Sequence, residues 1–435
     1  MKFRDLLRID FLLLMPVISL LVLGILFIYS AGITSAGVQV STEYIRQTVW
    51  ASAGLVIAIG LAMVNYRRFY NLSFYIYLLS LLPLVYMVII GIGDYAAIRW
   101  LRIGGFGIQA SEFVKISVII ALARFLEDTQ RNDTFIRFMV ACIIVFIPMG
   151  LVMLQPDLGT ALVYIAILMT MLFSAGVAMR YVSFMALCIL FSSIFLVLPL
   201  WQTFIFRRSV PFMAILTNQR VILFAVLFFA VIAGIALFGY LKYKKKYFYW
   251  IIYSSVIMSF SLVASYVGRL SLRNYQIMRL IIFIDPNIDP RGAGWNIIQS
   301  ITAIGAGGLT GRGFLQGTQS QYRFLPEQST DFIFSIFSEE AGFLGGIAVF
   351  LFFLIICQRL LWTMKVVPDP FAKNICAGLI GMYSFHFAIN VGMAMGIMPI
   401  TGIPLMFMSY GGSSILTAMI GIGLALSIFV RRHNR

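Results

Sequence analysis

Long apolar stretches constrain the fold of this chain more than any other feature. Windows of roughly 20 mainly apolar residues, the length that crosses a bilayer as a helix, recur from end to end. They lie near residues 11–31, 46–65, 73–93, 112–126, 136–154, 159–177, 181–201, 221–241, 248–267, 333–358, 373–396 and 405–430. Backbone groups in hydrocarbon must pair internally, and these continuous runs predict helices rather than the short alternating strands of a barrel. The sequence therefore predicts an all-α polytopic membrane protein with about 12 spans.

Composition agrees with this class and excludes others. Apolar residues make up 61% of the chain and charged residues 11%, which excludes a soluble globular domain. Residues 11–31 are longer than the apolar core of a signal peptide and lack a cleavage site, so we interpret them as the first span. The formal net charge of +16 does not indicate nucleic-acid binding, because the basic residues are scattered at span ends. All cysteines lie in or beside apolar stretches, which predicts buried free thiols: Cys142, Cys188, Cys357 and Cys376.

The basic residues at the span ends predict the orientation. Among the connections, lysines occur in only one of the two alternating sets. That set carries Lys2, Arg4, Arg8, Arg67, Arg68, Arg124, Arg131, Arg137, Arg180, Lys242, Lys244, Lys245, Lys246, Arg359, Lys365, Lys373, Arg431, Arg432 and Arg435. The positive-inside rule then places both termini in the cytoplasm and Asp331 on the outer side.

One connection, residues 268–332, is unusually long and rich in glycine and glutamine. Connections of this length tend to be functional. Its stretch 297–304 is apolar enough to predict an interfacial or re-entrant element. We interpret residues 1–435 as a single integral membrane domain with 268–332 as its large extracytoplasmic loop. No convincing tandem repeat is found, so an inverted-repeat transporter is not favoured.

Two common kinds of catalytic machinery are absent from the sequence. No GxxxxGK[ST] phosphate loop and no HExxH motif occurs, and the two histidines, His386 and His433, cannot build a metal site. ATP-driven transport and zinc-dependent hydrolysis are therefore excluded.

Asp331 is the first candidate for chemistry. It is one of 16 acidic residues in the chain and lies where a polar loop meets a span, a costly place for a carboxylate. Ser329 or Thr330 is predicted to cap the following helix, which would put Asp331 in its first turn. Asp331 is then either an anion stabilised by the helix dipole or a partly desolvated general base.

A second candidate group combines arginines with an intramembrane acid and lysine. Glu112 and Lys115 are three residues apart and so share one helix face. They form either a structural ion pair or, with Arg99 and Arg102 above them, a cationic lining for an anionic substrate. Other segments have both a structural and a functional interpretation: the 155–160 turn, the small-residue segments 399–404 and 409–414, and Arg269, Arg273, Arg279 and Arg291.

Four motifs carry a resemblance to a known family. They are RWLRIGGFGIQASEFVK at 99–115, QPDLGTALV at 155–163, DPRGAGWNIIQSITAIGAGGLTGRGFLQGTQSQYRFLPEQSTDFIF at 289–334 and GIMPITGIPLMFMSYGGSS at 396–414. With them the chain resembles, over nearly its whole length, the SEDS family of bacterial cell-wall synthesis, the RodA and FtsW proteins. The GTQSQ stretch at 317–321 resembles the elongation type, RodA, more than the division type, FtsW.

The resemblance implies a SEDS-type helical bundle of ten spans, to which residues 221–267 add an apparent inserted hairpin. It implies a peptidoglycan glycosyltransferase that polymerises lipid II on the outer face of the cytoplasmic (inner) membrane during cell elongation and rod-shape maintenance. Its implied partners are a class B penicillin-binding protein, other elongation-complex membrane proteins and membrane lipid. The essential acid of the family corresponds to Asp331, its Glu and Lys to Glu112 and Lys115, and its Arg to Arg99. Ser329 and Ala110 depart from the usual His and Pro.

In the mechanism that this implies, Asp331 takes the proton of the attacking sugar hydroxyl. Arg99, Lys115 or a divalent cation (Mg or Mn), which Asp331 would help to hold, neutralises the departing diphosphate. Further substrate-binding candidates are Gln299, Gln319, Glu327 and Arg279. The alternatives are a lipid II flippase, a division-type polymerase, and a membrane scaffold that only recruits its penicillin-binding partner.

Overall fold

The computed structural model describes residues 9–90, 100–103, 106–202, 216, 218–272, 274–292 and 294–432. Within these ranges, ten helices are long and apolar enough to cross a membrane. This confirms the predicted class, an all-α polytopic membrane protein.

The first half of the chain forms seven helices and one short hairpin. The elements are α1 (Phe11–Ala31), α2 (Glu43–Met63), α3 (Arg67–Ile90), β1 (Leu101–Ile103), β2 (Phe106–Ile108), α4 (Ala110–Asp128), α5 (Thr134–Leu154), α6 (Leu158–Ser174) and α7 (Met179–Trp201). The two strands are antiparallel, with Leu101 opposite Ile108.

The second half continues the helical pattern through the long connection. Its elements are α8 (Gln219–Tyr243), α9 (Lys246–Ser271), α10 (Asn274–Ile284), a 3₁₀ turn (Pro286–Ile288), α11 (Trp295–Ala306), α12 (Thr318–Gln321), α13 (Ile333–Val366), α14 (Pro370–Ala394) and α15 (Gly412–Val430).

Each of the twelve predicted stretches contains a helix, although two of these helices are not among the ten apolar spans. Helix α4 carries too many charges, including Glu112 and Lys115, and α6 is only 17 residues long. The last predicted stretch began too early, because residues 405–411 are not helical. Small residues and Pro404 interrupt the apolar run there and favour turns over helix.

The chain divides into two compact units, residues 1–177 with 296–435 and residues 178–295. The second unit contains α8 and α9, which correspond to the predicted hairpin at 221–267, together with α7 and α10. Its small core is formed by Leu216, Ile222 and Leu262.

Helices α14 and α15 form the centre of the first unit. In their apolar windows 72% and 89% of residues are buried, against 17% in α3. Glycines allow this close packing. A Cβ atom at Gly381 would lie 2.3 Å from Thr170 Oγ1, and one at Gly421 would lie 2.3 Å from Tyr383 Oη. Small residues are a common means of helix association in membranes, because they let backbones approach.

Helix α13 is broken at Gly342, whose φ of 67° and ψ of −167° are not helical. The glycine-rich segment 307–313 fills the break and pairs its free backbone groups. Four hydrogen bonds join the two: Arg312 N to Glu339 O (3.0 Å), Gly313 N to Glu340 O (3.0 Å), Phe343 N to Gly308 O (2.9 Å) and Leu344 N to Leu309 O (3.1 Å). A break at membrane depth is tolerated when the protein itself satisfies these groups.

Replacing Gly342 with alanine should therefore destabilise the protein by about 2–4 kcal/mol, because its φ/ψ region is essentially restricted to glycine and the site is overpacked. A Cβ atom there would lie 2.2 Å from Gly311 N. Thermal unfolding of the detergent-solubilised protein measures the change. Gly305→Ala is the matched control, since nothing lies within 4 Å of its Cβ position in α11, and alanine there should be neutral or stabilising by up to about 1 kcal/mol. Equal unfolding midpoints for the two variants would contradict this account of the break.

Candidate functional site

Asp331 lies in the turn before α13 and not in the helix. The helix begins at Ile333, with Phe332 as an N-cap that makes no side-chain cap bond. The prediction that Ser329 or Thr330 caps the helix, with Asp331 in the first turn, is therefore wrong. The polar groups bond within the turn instead: Asp331 N–H donates to Glu327 O (3.1 Å), and Thr330 Oγ1 donates to Glu327 Oε2 (3.1 Å).

Three other segments of the same unit anchor this turn. Gln328 Nε2 donates to Ala31 O at the end of α1 (2.7 Å). Tyr410 N–H donates to Ser329 O (2.8 Å), and Asn390 Nδ2 on α14 donates to Asp331 O (2.9 Å). Asp331 is left half-buried. The turn is thus fixed from several sides, which is the preorganisation that a catalytic carboxylate needs.

The other sequence motifs meet one another in the same unit. Gln109, just before α4, donates through Nε2 to Asp157 Oδ2 (2.9 Å) and through its backbone N–H to Ser413 Oγ (2.9 Å). Asp157 also caps α6 by accepting from Thr160 N (3.2 Å). A Cβ atom at Gly159 would lie 2.7 Å from Thr401 O. Three motifs that are far apart in sequence, at 99–115, 155–163 and 396–414, are therefore packed together.

Glu112 and Lys115 form the predicted ion pair, and a third residue joins it. Lys115 Nζ lies 2.8 Å from Glu112 Oε1 and 2.9 Å from His386 Nε2 on α14. An ammonium group has only donors, so Nε2 accepts, and the other ring nitrogen carries the proton and donates to Pro404 O (3.1 Å). His386 is therefore the neutral Nδ1–H tautomer. A lone histidine in an apolar run carries no sequence signal for this contact.

Burial limits what Lys115 can reach. Lys115 is 0% exposed, His386 1% and Glu112 2%. In this structure the Lys115 ammonium contacts Glu112 and His386. This geometry is that of a structural ion pair, whereas a cationic lining for a substrate would need an exposed ammonium. Within the described ranges, Glu112 Oε2 has no hydrogen-bond partner.

Two adjacent acids inside α13, Glu339 and Glu340, hold the segment before the Asp331 turn. Glu339 Oε1 accepts from Thr318 Oγ1 (2.9 Å) and Gln319 N (3.1 Å). Glu340 accepts from Ser30 Oγ (2.5 Å) and Leu315 N (3.0 Å). Both acids lie within the predicted stretch 333–358, and none of the sequence motifs assigns them a role. Two consecutive carboxylates in an apolar helix were the available sign that they bind buried polar groups.

The remaining predicted site residues lie in several places. Gln299 is half-buried on α11, and Glu327 is exposed in the Asp331 turn. Arg279 belongs to the second unit, where its guanidinium lies 5.6 Å from the Tyr275 ring centroid. Arg99 lies outside the described residues. Among the residues that the structure describes, no group of three or more His, Cys, Asp or Glu side chains could hold a metal ion.

The fold and these motifs define a polytopic helical membrane protein in which a half-buried carboxylate, Asp331, lies in a turn held by several distant segments. A family model for FtsW, RodA and SpoVE proteins, described as a cell cycle protein, matches residues 11–224 and 210–434. The chain belongs to this family, in agreement with the SEDS resemblance of its motifs.

Individual relatives match over the full length. The peptidoglycan glycosyltransferase RodA of Treponema pallidum is 46% identical over 99% of this chain and 100% of its own. The stage V sporulation protein E of Bacillus subtilis is 30% identical over 98% of each. A chain from a structure of a peptidoglycan synthase complex, in which polymerization and crosslinking are coordinated, matches with a TM-score of 0.66. The two sequences are 24% identical, and the match covers 98% of the present chain and 99% of the chain from the complex.

Proposed function

We propose that this protein is a peptidoglycan glycosyltransferase of the elongation type, which polymerises lipid II at the outer face of the cytoplasmic membrane. The observation that carries the proposal is the Asp331 turn, held by α1, α14 and the segment before α15. The full-length similarity to a peptidoglycan glycosyltransferase RodA supports the activity.

The proposed reaction is a single inverting displacement. The hydroxyl oxygen of the acceptor sugar forms a bond to the anomeric carbon of the donor, while the bond from that carbon to the undecaprenyl diphosphate breaks. The Asp331 carboxylate takes the hydroxyl proton, and the diphosphate leaves with the bonding electrons. One base therefore suffices for proton transfer, and positive charge near the leaving group lowers the barrier further.

The charge that stabilises the diphosphate has three proposed sources: Arg99, Lys115 and a divalent cation (Mg or Mn). Lys115 could act in this way only if its ammonium left the buried contacts that it makes with Glu112 and His386. Magnesium is usually held by one or two carboxylates together with substrate phosphates. Asp331 and the lipid diphosphate fit this pattern without a protein-only cage, and the ion would neutralise phosphate charge.

Gln299, Gln319, Glu327 and Arg279 stay as proposed substrate contacts. Gln319 has a supporting observation, because its Oε1 atom is buried without a hydrogen-bond partner among the described residues. Glu327 is exposed in the same turn as Asp331, where it is available to a sugar hydroxyl.

The proposed partner is a class B penicillin-binding protein that cross-links the new strands, along with other membrane proteins of the elongation complex. The similarity of the fold to a chain of a peptidoglycan synthase complex supports this partner. We propose that the protein lies in the inner membrane. The distribution of lysines favours an orientation with both termini in the cytoplasm and the Asp331 turn outside.

The test is a polymerisation assay with the purified full-length protein, lipid II and a class B partner, with and without divalent cations. Glycan strands resolved on a gel are the expected product, and Asp331→Asn should form them far more slowly than the unmodified protein. A parallel assay follows movement of labelled lipid II across liposomes. Movement that survives Asp331→Asn, without strands from either protein, would favour the flippase. Strands that appear only when another polymerase is added would favour the scaffold, and activation only by a division-type partner would favour the division-type enzyme.

A further inference from the structure

Asn390 is a buried amide of α14 whose two N–H groups reach two different loops. It is 0% exposed. Its Nδ2 atom donates to Asp331 O at 2.9 Å and to Ile403 O at 2.8 Å, which uses both hydrogens of the amide. Its Oδ1 atom has no hydrogen-bond partner in the described part of the chain. Within the described residues, the side chain of Asn390 therefore acts through its two N–H groups and not through its oxygen.

Asn390 is a side chain outside the turn that holds the Asp331 backbone directly. The hydrogen bonds that Gln328 makes to Ala31 O and that Ser329 O accepts from Tyr410 N–H hold residues before Asp331. The N–H of Asp331 donates within the turn, to Glu327 O. The hydrogen bond from Asn390 fixes the peptide plane that follows Asp331 and precedes α13. Because the Cα–Cβ direction depends on the backbone on both sides, this bond helps to determine where the carboxylate points.

The same face of α14 holds the neighbouring loop. His386 lies four residues before Asn390, one helical turn away, and donates to Pro404 O (3.1 Å). Asn390 donates to the adjacent Ile403 O. This face of α14 therefore orders the 403–404 segment and the Asp331 turn together, and through His386 it also contacts the Lys115 ammonium.

We infer that Asn390 is a positioning residue for the polymerisation reaction, acting through the peptide after Asp331. The inference rests on the proposed function, in which Asp331 is the base. It assigns Asn390 no contact with substrate. Its expected influence is on the chemical step and not on the binding of lipid II.

Asn390→Ala should lower kcat by roughly 10- to 100-fold with a change in KM of less than about threefold, since a misplacement of about 1 Å can cost about 10²-fold in rate. Asn374→Ala is the matched control. Asn374 is the same residue type on the same helix and is 3% exposed, but it is more than four turns from Asn390. Its rate should stay within about twofold of the unmodified protein. Thermal unfolding midpoints of both variants check that each is folded.

Asn390→Asp supplies a second readout if the alanine variant is unstable. A protonated aspartic acid has the shape of asparagine but only one hydrogen to donate to the two carbonyl oxygens, Asp331 O and Ile403 O. The expected rate therefore lies between that of the unmodified protein and that of Asn390→Ala. As pH rises, this carboxyl ionises, loses its hydrogen and repels both carbonyls. The rate of Asn390→Asp relative to the unmodified protein should therefore fall with rising pH. A ratio that is flat with pH would speak against a role for the donor hydrogens.

A double variant separates positioning from general damage. In the Asp331→Asn background the base is already absent, so adding Asn390→Ala should cost less than about threefold further, because residues that act as a unit are non-additive. A full additional 10- to 100-fold loss would overturn the inference, as would a kcat for Asn390→Ala equal to that of Asn374→Ala. The failure of the proposed function has different results: the unmodified protein would form no strands, or Asp331→Asn itself would polymerise lipid II at the unmodified rate.

Discussion

Asp331→Asn is expected to lower the rate of glycan polymerisation by about 10²- to 10⁴-fold, the usual contribution of a positioned general base. Asparagine keeps the size and shape of the side chain but removes its negative charge and its ability to take a proton. The backbone anchors at Ser329 and Asp331 use carbonyl oxygens, so the turn should survive the substitution. The measurement is the initial rate of strand formation from lipid II, with the unfolding midpoint as a check on the fold.

The matched control is Glu43→Gln, another acid-to-amide change in the same unit. Glu43 lies in the first turn of α2, on the predicted outer side, and its replacement should change the rate by less than about twofold. Asp331→Glu keeps the carboxylate on a longer stem, and it should retain more activity than Asp331→Asn but less than the unmodified protein. Strand formation by Asp331→Asn at the same rate as by Glu43→Gln would rule out Asp331 as the base.

Lys115→Met should destabilise the protein by about 3–5 kcal/mol, because removing one partner of a buried ion pair leaves the other charge uncompensated. Glu112 is 2% exposed and has its Oε1 atom on the ammonium, so the variant would bury an unpaired carboxylate. His386 Nε2 would also lose its donor. The change is measured from thermal or denaturant unfolding in detergent. Lys365→Met, at an exposed lysine in the last turn of α13, should stay within about 0.5 kcal/mol.

The double variant Glu112→Gln with Lys115→Met separates two roles of the pair. Removing both charges should recover most of the lost stability, since a buried ion pair can often be replaced by neutral groups at little cost. If the pair is structural, polymerisation should recover together with stability. If the Lys115 ammonium moves to the diphosphate during the reaction, the double variant should be stable and slow. A double variant as unstable as Lys115→Met alone would contradict the assignment of the pair as mutually compensating.

The sequence by itself determined the class of protein and the approximate positions of its long helices. Apolar length is a local property, and the requirement that backbone groups pair within a bilayer converts it directly into helices. The ion pair of Glu112 and Lys115 was predictable for the same reason, because residues three apart on a helix share a face. The candidate base, Asp331, could be identified because a carboxylate at a membrane boundary is energetically costly and is therefore a candidate functional residue.

Only the tertiary structure decided which groups hold the candidate base, Asp331, and the ion pair of Glu112 and Lys115. The partners of Asp331 O and Lys115 Nζ, Asn390 and His386, are 59 and 271 residues away in sequence. The pairing of the Gly342 break with residues 308–313, and of Glu339 and Glu340 with residues 315–319, likewise joins distant segments. The Asp331 turn was mispredicted as the first turn of a helix because its polar side chains have two local alternatives, capping or turn formation. Packing against α1, α14 and the segment before α15 selects the turn. Local pattern fixes where the helices are, whereas the satisfaction of each buried polar group depends on which helix becomes its neighbour.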